Sequence, residues 1–427
     1  MKWEFLIIEL INGRIVFKVK HQIEFIFMIK MKSQKNPIAP YIYGTGFLLL
    51  GILLAITEKS IYQFEAYGSP EYGIHKFHKP WFYTSAIFVG MSLAIVVYVL
   101  LSIINSKQFP PIISIVKPSQ YLEFIIPGFF DLIQTFMSNI TIIFVGVSVD
   151  YMMRGGTILG VALILNFKFK QEFKKHEWIG MGIVALSMCL VGLSSIINAG
   201  KSSTVLLSRK WTTAIIILKA ISQIAYAVKL AYEQYFSQNC GYSPVLVVGL
   251  EGSWSLFFIC GVVFPVISAL PGPEGNGIHE DMYDTVSMLK SNKIIMIILM
   301  GAVFGYCLYN ICSVMLIQYT SAAVRTMVES FRTLLIWLLE LILFYAMKSN
   351  PSFENMKDIG EEWNTGSWIQ LTGFICMTFG LLQFGGYPKS LVDIFEKKSG
   401  YQKISLAEPK NSHSKYEELP VYVELFG

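Results

Sequence analysis

Only five arginines occur in the chain, and three of them, Arg154, Arg325 and Arg332, fall in apolar stretches. A guanidinium at the centre of a membrane helix costs roughly 2.5–3.5 kcal/mol on insertion scales, so such a residue faces a polar cavity or a partner. Asp150 and Arg154 stand four apart, Arg325 and Glu329 four apart, and Glu329 and Arg332 three apart, so each set aligns on one helix face. One carboxylate neutralises one of the two guanidinium groups beside it. A positive charge is left for another helix or for a solute. The planar fork of Arg332 suits carboxylate and phosphate, which makes it a candidate for binding an anionic group, with an internal counter-ion role as the alternative.

Other polar residues in apolar runs invite the same weighing. Lys219, one turn before Gln223, is a second candidate for contacting an anionic solute. Asp131 and Glu251 are candidate proton carriers or fixed counter-ions, and Lys229 with Glu233 reads as a pair at the interfacial end of its helix. His75-Lys76-Phe77-His78 offers two imidazoles without a third ligand, and the six cysteines form neither a CxxC pair nor a Cys/His cluster. No metal site, disulfide framework or cofactor is expected. There is no His-box, nucleophile elbow or phosphate loop, so no catalytic residue and no enzyme activity is expected, and no nucleic-acid partner.

The elements that position these residues follow from composition. Hydrophobic residues make up 54% of 427 and charged residues 15%, with a mean hydropathy of +0.53; ordinary soluble domains carry roughly 25% charge. The structural unit is therefore the membrane span of about 20 residues. Charge-free runs mark spans at 41–58, 83–104, 178–198, 294–318 and 367–386, and charge-bearing ones at 121–144, 148–167, 211–236, 244–268 and 321–346. The run from Ile294 to Val324 is too long for one span and breaks at Tyr319-Thr320-Ser321. Gly156-x-x-x-Gly160 and Gly301-x-x-x-Gly305 allow close helix approach, with packing favoured over a dedicated homodimer contact.

The halves look related. Asn139 precedes Arg154 by 15 residues and Asn310 precedes Arg325 by 15, an offset of 171 for both pairs, while Trp178-Ile179 and Trp368-Ile369 open spans five and ten. Five spans per half is an odd number, so the second half enters the membrane inverted, and the binding site is expected near the midplane between the halves. The expected fold is an all-α integral membrane protein of ten transmembrane helices in two inverted five-helix repeats, residues 41–200 and 201–387. Spans five and ten carry no charge and are expected at the periphery.

Lysines crowd the side of the two tails, as at Lys168, Lys170, Lys174 and Lys175, while the opposite side carries Glu274, Glu280, Asp281, Asp284, Glu354, Asp358, Glu361 and Glu362. The positive-inside rule then makes both tails cytosolic. Residues 1–40 mix Ile, Phe and Leu with frequent charge; an amphipathic surface helix and a natural start at Met28 or Met31 are equal readings. Residues 388–427 are polar and expected to be disordered. Tyr401-Gln402-Lys403-Ile404 and Tyr416-Glu417-Glu418-Leu419 have the form read by sorting adaptors.

Several motifs together resemble the drug/metabolite transporter superfamily, and most closely the sixth-member sub-group of the F branch of solute carrier family 35. They are Asp131, Met153-Arg154-Gly155, Val248-Gly249-Leu250-Glu251-Gly252, and Arg325-Thr326-Met327-Val328-Glu329-Ser330-Phe331-Arg332-Thr333 running on to Trp337. His78-Lys79-Pro80-Trp81-Phe82 adds an aromatic segment. The resemblance spans roughly residues 41–387 and implies a ten-span inverted repeat, alternating access and an endosomal or lysosomal membrane. The expected function is secondary transport of a small polar, anionic or zwitterionic organic solute across the lipid bilayer. Arg154, Lys219, Gln223, Asn310, Arg325, Glu329 and Arg332 are the expected solute-binding residues. The alternative is a non-transporting membrane scaffold or receptor that works through its tails.

Overall fold

The structure is a computed structural model, and it describes residues 38–145, 150, 153–198, 209–272, 274, 278–348 and 362–384. The N-terminal segment and the C-terminal tail with its Tyr-based motifs lie outside the described residues.

The principal helices in chain order are α1 (Ala39–Ile61), α2 (Pro80–Ile104), α3 (Ile125–Phe144), α4 (Thr157–Phe167), α5 (Lys175–Asn198), α6 (Arg209–Gln234), α7 (Pro244–Phe258), α8 (Lys293–Tyr319), α9 (Ala322–Lys348) and α10 (Thr365–Phe384). Each overlaps the run expected for its span. Pro at the first turn starts α1, α2 and α7, where a missing N–H costs nothing. α8 and α9 part at Thr320 and Ser321, where the expected hairpin lies. A π-turn at Ile259–Val263 carries α7 into a last stretch, Phe264–Ala269. Pro265 cannot donate to the carbonyl four residues back, and the helical ladder widens there.

By length and composition α1, α2, α3, α6, α7, α8 and α10 are apolar enough to cross a membrane. α4 has 11 residues, and α9 carries Arg325, Glu329, Arg332 and Glu340 in its 27. Large apolar side chains point outward from several of these helices, among them Leu49, Leu53, Ile103, Phe304 and Ile375. Such a surface suits hydrocarbon rather than water.

The helices pair in a regular scheme. α1 packs along α8 and α3 along α6; α2 packs on α7 and on α8, and α3 also on α7; α5 lies along α10. Gly180 and Gly380 let the α5 and α10 backbones touch. The segment after α1 forms a two-stranded antiparallel hairpin, β1 (Glu65–Tyr67) and β2 (Ile74–Lys76), with Ala66 opposite His75. It rests on a short helix, Met282–Ser291: Ser291 Oγ donates to Tyr67 O at 2.8 Å, and Ser69 N donates to Asp284 Oδ1 at 2.7 Å.

Candidate functional site

Among the described residues, buried charge gathers between the helices in three clusters of three or more groups. In the first, the Nζ of Lys229 on α6 sits 2.9 Å from Asp131 on α3, 3.0 Å from Glu251 on α7 and 3.7 Å from Glu233, one turn along its own helix. All four residues are buried. The expected interfacial pair Lys229 and Glu233 is thus an interior one. Spacing of four places two side chains on one face but leaves open what that face meets, and here it meets two further carboxylates.

The second cluster joins α6 to the start of α4. Asp150 accepts from Arg154 Nε at 3.2 Å and Nη2 at 3.0 Å, and pairs with Lys219 through its other oxygen. Lys219 also donates to Ser138 on α3. Gln223, one turn on, accepts from Thr157 Oγ1 at 2.8 Å. The close approach behind this contact comes from Gly160, where a Cβ would stand 2.8 Å from that of Ala227.

The third cluster runs along α9. Glu329 lies between Arg325 and Arg332, bonded to one through each oxygen, with Arg332 Nη2 at 3.2 Å. Arg325 donates to Tyr226 Oη at 2.7 Å and to Ser313 Oγ at 3.0 Å, and Arg332 donates to the Tyr309 hydroxyl. The two guanidinium groups also lie over aromatic rings: Arg325 is 4.8 Å from the Phe47 centroid, and Arg332 is 5.3 Å from that of Tyr309. Both contacts are within cation–π range. The one-face alignment read from spacing holds in three dimensions.

A cavity, part of it open to the outside, lies among these clusters. It is walled by α1, α2, α3, α6, α8 and α9, and its charged lining residues are Glu58, Asp131, Arg154, Lys229 and Arg332. Asn310, Asn139 and Gln134 add amide groups, and Tyr226, Tyr306 and Tyr309 add aromatic walls. Of the expected solute-binding residues, Arg154, Asn310 and Arg332 line the cavity; Lys219, Gln223, Arg325 and Glu329 stand behind it in the networks above. Asp131 lines it and Glu251 lies one residue behind, across Lys229. The tyrosines carry no sequence signal that sets them apart from the other 19 of their kind. Asn139 could have been found from its place in the repeat.

In comparisons with known proteins, the chain is 22% identical to solute carrier family 35 member F6 of Rattus norvegicus over 356 residues, 82% of this chain and 90% of the relative. The Homo sapiens protein of that name is 22% identical over 348 residues, 81% of this chain and 88% of the relative. For Pongo abelii the match is 22% over 375 residues, 87% and 93%. The chain is related to the F branch of solute carrier family 35. The resemblance drawn from Arg154, Glu251 and the α9 motif is borne out by these relatives, and no family model matches. With its apolar helices, this relative of the F branch is a multi-pass membrane protein.

Proposed function

We propose that the chain is a secondary active transporter that moves a small anionic or zwitterionic organic solute across an intracellular membrane by alternating access. The observation that carries this reading is the cavity, where Arg154, Lys229 and Arg332 share one wall system with Asp131 and Glu58. Cations and carboxylates facing one space suit a small solute with charge of either sign. The name shared by the relatives, solute carrier, agrees with it.

Two inverted five-helix repeats are part of the proposal, and the packing scheme supports them. Exchanging α1–α5 with α6–α10 in order turns the α3–α6 contact into α8–α1, and α2–α8 into α7–α3. The same exchange returns α2–α7 and α5–α10 to themselves. Moving the halves against each other about the cavity is then the way access alternates.

Uptake by proteoliposomes of the purified protein, against nucleotides, sugars, amino acids and amines, tests the reading. Saturable uptake or exchange of an anionic or zwitterionic solute is expected. Verified folding with no movement of any of them would favour a scaffold that works through its tails.

A further inference from the structure

The Lys229 cluster holds more negative charge than its cation balances. Three carboxyl groups, from Asp131, Glu233 and Glu251, converge on one ammonium, and all are buried. The charged and titratable groups facing them are Lys229 itself and Tyr226 on α6, and Arg325 on α9, which is bonded to Glu329. Oε1 of Glu251 faces the Lys229 ammonium at 3.0 Å, whereas Oε2 of Glu251 and Oε2 of Glu233 have no hydrogen-bond donor. Buried carboxylate oxygens without donors are rare, because each forfeits its hydration. The two glutamate carboxyl groups meet at the same ammonium, 3.7 Å and 3.0 Å from Lys229 Nζ. Two carboxylates repel, whereas a carboxylic acid donates to a carboxylate. No group of His, Cys, Asp and Glu among the described residues has the arrangement to hold a metal ion.

We propose that Glu233 and Glu251 form a proton-binding site, sharing one proton taken from water, and that this proton is the coupling ion of the transporter. The inference rests on the transport reading for its second half only. Asp131 is the fixed counter-ion that keeps Lys229 in place. With the proton bound, Lys229, which lines the cavity, faces one carboxylate fewer, and its ammonium is available to the anionic group of the solute. When the proton leaves, the two glutamates draw Lys229 back. Proton and anion therefore strengthen each other's binding, by the same factor in both directions. The two move together.

Infrared difference spectroscopy on the purified full-length protein tests the site, because a protonated carboxyl absorbs apart from a carboxylate. The measurement uses a Glu280→Gln background, since Glu280 is itself a buried carboxyl outside the spans. One protonated carboxyl that titrates between about pH 5 and 9 is expected, and it is lost in both Glu233→Gln and Glu251→Gln. Each variant is checked for a monodisperse, cooperatively unfolding protein. Should one fail that check, the other and the pH titration of the parent decide. A parent without such a band, a band unchanged in the folded variants, or a band removed by sodium chloride at constant pH would overturn the proposal. A proton site with no uptake of any solute would leave the site standing and overturn the transport reading. Uptake indifferent to pH, with no band, would do the reverse.

Discussion

The backbone N–H of Trp81, in the first turn of α2, donates to the carboxylate of Glu280 at 3.0 Å, and that of Phe82 donates to its other oxygen at 2.8 Å. A residue of the loop before α8 thus caps a helix near the start of the chain, satisfying donors that the helix itself leaves unpaired. Beside it, the buried Lys79 pairs with Asp284 at 2.6 Å and with Glu274, and His75 Nε2 lies 3.1 Å from Asp284. His279 Nε2 lies 3.6 Å from Glu274. Together these contacts clasp the β-hairpin and the α2 start to the Met282–Ser291 helix.

The clasp should tighten in acid. Burial pushes the Glu280 carboxyl up from 4.5 to about 8, against the pull of Lys79 and the two N–H groups. Its folded form therefore binds the proton more tightly than the unfolded chain does. The stability this contributes is present in full below about pH 4.5 and is lost as pH rises through about 8. Asp284 has the opposite sign: although burial pushes the other way, Lys79 and the Ser69 N–H hold its carboxyl below the ordinary value, so its contribution disappears only in stronger acid. Hydrogen-exchange protection factors of the hairpin should fall between pH 6 and 9, and Glu280→Gln should flatten that fall. An equal fall in the variant would exclude Glu280 as the cause.

Arg332 should be essential for transport while leaving the fold intact. Arg332→Gln is expected to abolish uptake with normal membrane insertion. Arg332→Lys keeps the charge but cannot present the fork, and should lose most of the affinity. Tyr309→Phe removes the hydroxyl that accepts from Arg332 and should weaken solute binding about tenfold. Normal uptake by Arg332→Gln would remove Arg332 from the binding site.

Asp150 should matter for folding more than for the solute. Asp150→Asn leaves Lys219 buried without its carboxylate, a change that costs about 3–5 kcal/mol in comparable pairs. Combining it with Lys219→Met removes the stranded charge, and most of the thermal stability should return. Thermal unfolding in detergent measures both. A double variant no more stable than the single one would show that Arg154 needs Asp150 more than Lys219 does.

The α5–α10 contact depends on glycine. A Cβ on Gly180 would stand 2.5 Å from Phe384 N and 2.6 Å from Gly380 O, whereas one on Gly182, two residues on, meets nothing within 4 Å. Gly180→Ala should lower the thermal midpoint, with overpacking costing about 1–3 kcal/mol. Gly182→Ala should leave it unchanged.

Orientation can be tested directly. From the cation asymmetry, both tails are expected to be cytosolic and the Ala269–Lys293 segment luminal. A protease site inserted near Gly275 should be protected in sealed vesicles and cut only after the membrane is opened. Cutting in intact vesicles would reverse the orientation.

The positions of the helices were legible in the residues because hydrocarbon imposes a length and forbids charge. The break at Thr320 and Ser321 could be read for the same reason, since no single span accommodates the apolar run around it. The face shared by Arg325, Glu329 and Arg332 was equally legible, being a consequence of helical period alone. Partners across helices were not. Lys229 and Glu233 looked like an interfacial pair, and Lys219 like a solute contact, because local spacing says which side chains share a face and nothing of what that face meets. Packing of α6 and α7 on α3 brought Asp131 and Glu251 to Lys229, and packing of α6 against the start of α4 gave Lys219 to Asp150. Likewise the polar segment after α1 carried no strong strand pattern. It became a hairpin because Asp284 and Asn292, far along the chain, supply the acceptor and donor that its backbone needs.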